Sequence, residues 1–204
     1  MRLRLWIFFI PLLVATGASA ADLAGDCTIR FFSSSTLHDF DGRVSCEPFN
    51  WSAQEDAGSG RVLIRDAVIR IPVAAMETAN DKRDEKMYEM FSVETFPLIE
   101  GRFGDFDPNR LLTTWRAGDA ATARLPFELR IRDLSRPVEA TVTNLQETPG
   151  RISFVAMFPV SLADFQLKPP SVLGLIRVAD EVRVEVEVAL QHDNLSAEAA
   201  GAAN

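Results

Sequence analysis

The segment S-T-L-H-D-F-D-G at 35–42 sets His38 beside Asp39 and Asp41, residue types from which metal sites and general-base pairs are built. A metal-assisted hydrolase would need His38, one of those carboxylates and at least one further ligand. The other histidine, His192, sits beside a small, polar C-terminal tail and offers no convincing partner. In an extended strand, Asp39 and Asp41 share one face while His38 and Phe40 share the other, so the polar groups diverge. The sequence favours a hairpin end in which Asp41-Gly42 assists a bend.

A second polar group is N-D-K-R-D-E-K at 80–86. Asn80, Arg83 and Asp84 could meet the head group of a ligand. By residue type alone they read as a solvated helix start, with Asn80 or Asp81 capping and Arg83 pairing locally. Other chemistry lacks its motif: the chain has no G-x-S-x-G, Walker A loop, H-E-x-x-H or G-x-G-x-x-G after a strand. A glycosidase would use two carboxylates, and nothing singles out one pair. The residues point to burial without catalysis, with no cofactor and no metal.

The N-terminus supplies an address. Arg2 and Arg4 precede the apolar run L-W-I-F-F-I-P-L-L-V-A, and Ala18-Ser19-Ala20 gives an A-x-A cleavage site. Residues 1–20 are therefore expected to be a signal peptide, too short to anchor a mature chain in a bilayer. Export to the periplasm, or secretion, follows. The expected domain spans 21–192, and 193–204 is expected to be a disordered tail. The net charge of −8 argues against nucleic acid, whose phosphates need Lys and Arg. In an oxidising compartment Cys27 and Cys46, the only cysteines, are expected to form a disulfide, closing a loop worth about 3 kcal/mol.

The elements that would position these groups are mostly strands. R-L-P-F-E-L-R-I-R (124–132) and V-R-V-E-V-E-V (182–188) alternate strictly, as half-buried strands do. R-I-S-F-V-A-M-F (151–158) follows the same period, and 61–71 reads as one long strand, apolar on parts of both faces. Weaker strands are expected at 98–104, 110–116 and 138–145. Pairing 27–34 with 38–46 about Thr36-Leu37 sets Cys27 opposite Cys46, Ile29 opposite Val44, Phe31 opposite Gly42 and Ser33 opposite Phe40. One short helix is expected within 78–91, with Met87, Met90 and Phe91 on its apolar stripe. The expectation is an all-β antiparallel barrel of about eight strands with one helix.

Motif order then adds a resemblance. D-F-D-G-R-V, the Thr78, Asn80, Arg83, Asp84, Phe91, Phe96, Pro97 series, L-R-I-R-D-L-S-R-P-V with Arg136, Pro137 and Val138, S-L-A-D-F-Q-L and R-V-A-D-E-V-R-V-E-V-E-V occur in sequence. Together they resemble the YceI-like family of exported, lipocalin-like barrels associated with polyisoprenoid lipids. Asp133 and Ala179 replace glycines usual in that family, and Lys86-Met87 a usual His-Leu. No family role passes to His38. The resemblance implies a polyisoprenoid or similar apolar ligand held in the barrel, with Leu125, Phe127, Leu129, Ile131, Phe154, Phe158, Val184 and Val186 lining its interior. It implies a role beyond solvation for Asn80, Arg83 and Asp84, tying the helix to the barrel rim ahead of direct ligand contact. The alternatives are an envelope interaction module with a packed-shut core and the metal-assisted hydrolase.

Overall fold

The computed structural model describes residues 22–192 apart from 37, 57, 60, 118–122 and 170–177. The expected signal peptide and tail lie outside the described residues, as does Leu37 of the expected turn. Ten strands run β1 (Asp22–Ser33), β2 (Phe40–Ser45), β3 (Phe49–Glu55), β4 (Val62–Ile64), β5 (Val68–Pro72), β6 (Leu98–Arg102), β7 (Arg124–Ile131), β8 (Leu134–Thr148), β9 (Arg151–Ser161) and β10 (Glu181–His192). Among the described residues two α-helices join them, α1 (Asp81–Phe91) and α2 (Pro108–Ala117). The protein is mainly β, one antiparallel sheet curled on itself in the order β4-β3-β1-β10-β9-β8-β7-β6-β5.

β1 is long enough to serve two neighbours on one side. Its first residues pair with β3, Leu23 opposite Trp51, and its second half pairs with β2. The β1–β2 register sets Ile29 opposite Val44, Phe31 opposite Gly42 and Ser33 opposite Phe40, as the sequence predicts. The same register brings Cys27 and Cys46 together, and they are disulfide-bonded with Cα atoms 5.4 Å apart.

The curl closes where β2 meets β5 and the segment that follows it. Arg43 and Glu77 exchange both backbone hydrogen bonds, at 2.9 and 3.0 Å, and the Glu47 N–H donates to the Arg70 carbonyl at 2.8 Å. This seam is thin beside the continuous ladders elsewhere. β5 ends at Pro72, which has no N–H to extend the pairing.

Two expectations are corrected. Residues 61–71 are not one strand: Asp66, at φ 52°, breaks the run between β4 and β5. The break shifts the inward phase from Ile64 to Ala67, Ile69 and Ile71, which explains why the segment looked apolar on both faces. Residues 110–116 are not a strand but most of α2. Asp107 Oδ1 accepts the Arg110 N–H at 3.1 Å, Pro108 takes the first helical position, and Pro108, Leu112 and Trp115 are buried at helical spacing.

α1 starts where the sequence predicts, with Asn80 as the cap: its side chain accepts the Arg83 N–H. Met87 and Phe91 are buried, and Met90 is partly so. In the β7–β8 hairpin, Ile131 faces Leu134 across the loop Arg132-Asp133. The positive φ of that loop falls on Arg132, at 56°. Asp133 is not at positive φ, so the loop does not require glycine there.

Candidate binding cavity

The inward faces of the sheet do not pack shut. They enclose a cavity of about 260 Å³, close to the lower end of the roughly 300–1,000 Å³ seen for small-molecule sites. Strand alternation builds its wall, since every second residue of each strand turns inward. β1 gives Leu23 through Phe31, β7 gives Leu125, Phe127, Leu129 and Ile131, and β9 gives Ile152, Phe154, Ala156 and Phe158. β10 contributes Val182 to Leu190 on alternate positions. All eight residues predicted to line the interior lie on this wall.

Exposure along these strands maps the open space. Leu129, Ile131 and Phe154 are buried, whereas Leu125, Phe127, Phe158, Val184 and Val186 point inward yet remain partly exposed. A core at native packing density would cover them. Here they pack partly against the core cluster and partly line the cavity.

The two ends differ. At the Leu23 end α2 lays Leu111, Leu112 and Trp115 across the cavity, with Trp115 edge-on to Phe154 at 5.1 Å. Sequence reasoning missed these residues. The signal was present as Asp107-Pro108 followed by apolar residues at helical spacing. A run of rings then follows the wall: Trp51 to Phe103 at 5.7 Å, Phe103 to Phe127 at 5.6 Å and Phe127 to Phe158 at 5.1 Å.

At the other end stands α1, and here the polar groups gather. Asp84 Oδ1 accepts the Thr78 backbone N–H at 3.0 Å and the Thr78 hydroxyl at 2.5 Å. The Tyr88 hydroxyl donates to the Met76 carbonyl at 2.6 Å. Burial, with the charges of Asp84 and Glu77, raises the Tyr88 phenol above its ordinary value, so it stays a donor. Asp84 and Tyr88 thus tie α1 to the segment that precedes it, while Asn80 only caps the helix. Arg83 does something further. Its guanidinium lies 4.3 Å over the Phe40 ring, and both residues line the cavity.

His38 stands apart from this. It is exposed, and its backbone rather than its ring is engaged: the N–H donates to Ser35 Oγ at 3.3 Å and the carbonyl accepts the Ser35 hydroxyl at 2.8 Å. Asp41 faces outward near Arg30, at 3.9 Å. Among the described residues no group of three or more His, Cys, Asp or Glu side chains is placed to hold a metal ion.

The outer face carries charge instead. Glu100, with its side chain 14% exposed, sits among Arg70, Arg102 and Arg130 at 3.5, 2.6 and 3.6 Å. Burial alone would raise its carboxyl. The Arg102 hydrogen bond and the charges of Arg102, Arg130 and Arg70 outweigh this and hold it below the usual carboxylate value.

A comparison with curated protein sequences finds no match. Among solved structures the fold is similar to Burkholderia cenocepacia BcnA, with TM-score 0.57 and 15% identity over 80% of this chain and 95% of that one. It is also similar to a polyisoprenoid binding domain from Saccharophagus degradans implicated in plant cell wall breakdown. That match has TM-score 0.55 and 14% identity over 84% of this chain and 98% of that one. At such identities the likeness is one of fold. The sequence itself matches the YceI-like domain over residues 24–190, and the chain therefore belongs to the YceI-like family.

Proposed function

We propose that this chain is an exported binding protein that holds a long apolar molecule, a polyisoprenoid or similar lipid, in its barrel without acting on it chemically. The observation that carries this reading is the apolar cavity of about 260 Å³ running along β1 between α2 and α1. The polyisoprenoid binding domain of similar fold supports the ligand class. The A-x-A site at 18–20 and the Cys27–Cys46 bridge support an exported, periplasmic setting. Binding follows from burial. At about 0.8 kcal/mol per CH₂, a five-carbon isoprene unit gains about 4 kcal/mol. Three or four buried units then offset an association cost of about 4–15 kcal/mol.

Trp51 and Trp115 both line the cavity and report on it. Titrating the protein with a long-chain polyprenol is expected to change tryptophan fluorescence saturably, with the alcohol recovered unaltered. Fluorescence that does not respond, or a polyprenol recovered as a new compound, overturns the proposal.

A further inference from the structure

The cavity has one polar end, where a buried hydroxyl lacks a partner and a guanidinium lacks an ion pair among the described residues. Among the described residues three polar ones reach the lining: Ser33, Thr78 and Arg83. The Thr78 hydroxyl is committed to Asp84. The Ser33 residue is only 9% exposed, and its hydroxyl has no hydrogen-bond partner among the described residues, a state that costs free energy unless something completes it. Arg83 reaches the Thr78 carbonyl only at 3.5 Å and forms no ion pair with the described residues. Its sequence neighbours are occupied, Asp84 by Thr78 and Asn80 by the helix cap. Phe40 joins the two groups: it faces Ser33 across the β1–β2 ladder and lies beneath the Arg83 guanidinium.

From this we propose that the ligand is an amphiphile whose anionic head, a carboxylate or a phosphate, is held between Ser33 and Arg83, with its tail running toward α2. The inference rests on the proposed lipid-binding function and names the head group. Both protein groups can donate, so the head must accept. A neutral carbonyl or hydroxyl would satisfy Ser33 yet leave the guanidinium charge unpaired at an apolar mouth. An anion completes both, through charge-assisted hydrogen bonds roughly twice as strong as neutral ones.

The test is displacement of the neutral fluorophore N-phenyl-1-naphthylamine by hexadecanoate, hexadecyl phosphate and hexadecanol, which share one tail. For the wild type, at least one anion is expected to displace the fluorophore about tenfold more tightly than the alcohol. The first two arms tell carboxylate from phosphate. Arg83→Gln should bring that ratio toward one, and Ser33→Ala should lower it severalfold. Ser33→Ala removes only an unpartnered hydroxyl and should melt no lower than the wild type, so it decides the matter even if Arg83→Gln fails to fold. An alcohol that binds as well as both anions, or a ratio untouched by Ser33→Ala, overturns the head-group assignment while leaving the lipid cavity standing. A protein that binds neither the fluorophore nor any of the three overturns the cavity reading, and this inference with it.

Discussion

Gly42→Ala tests whether the barrel depends on its thin seam. A Cβ on Gly42 would collide with the Phe31 ring and meet the Glu77 carbonyl oxygen at 2.7 Å. That carbonyl accepts the Arg43 N–H in the bridge that closes the barrel. Phe31 can yield only by swinging into the cavity it lines, and Glu77 only by drawing β2 away from the segment after β5. Overpacking of this kind costs about 1–3 kcal/mol, and weakening one or two seam hydrogen bonds adds about 0.5–1.5 kcal/mol each. A loss of about 2–4 kcal/mol, or roughly 5–15 °C in Tm, is expected from urea and thermal melts followed by tryptophan fluorescence. Polyprenol affinity should fall as well, because Phe31 takes up cavity space. Gly104→Ala is the control, since nothing lies within 4 Å of its added methyl and its effect should stay within about 1 kcal/mol of zero. If Gly42→Ala melts with the Gly104→Ala control, the seam argument is wrong.

Other outcomes follow from the same geometry. Ala156→Phe places a ring in the open cavity, where Ala156 already lines the wall, and should weaken polyprenol binding at least tenfold in the fluorescence titration while the protein stays folded. Reducing the Cys27–Cys46 bridge, whose residues are 19 apart in sequence, should cost about 3 kcal/mol in a urea melt with and without reductant. Glu100→Gln should destabilise the wild type by about 1–2 kcal/mol at neutral pH. Because the folded Glu100 carboxyl lies below its ordinary 4.5, its contribution is present above that value and disappears as pH falls through the lowered one. The wild-type and Glu100→Gln stabilities, measured by urea melts from pH 7 down to pH 3, should therefore converge at the acid end.

What the sequence made legible was what alternates. The register that joins Ile29 to Val44 and Ser33 to Phe40 followed from centring the hairpin on Thr36-Leu37, which also brings the two cysteines face to face. The inward residues of β7, β9 and β10 followed from period-two patterning. α2 was hidden because Asp107-Pro108 marks a turn as readily as a helix start, and only the closure of a barrel end decides between them. The broken strand at Asp66 was hidden because an aspartate at positive φ leaves no pattern of its own. Arg83 shows the limit of local reading. Its neighbours Asn80 and Asp84 do the capping and tying that their types suggest, but Arg83 turns toward Phe40, whose place depends on a hairpin far away in sequence.

The central claim is that this barrel carries an apolar guest and does no chemistry on it. Mass spectrometry of an organic extract from the protein, purified without detergent from its native host, tests that most directly. A long-chain lipid in near one-to-one amount, sharply depleted in an Ala156→Phe preparation, is the expected result. An extract free of lipid, or one whose lipid is unaffected by filling the cavity, would contradict the account.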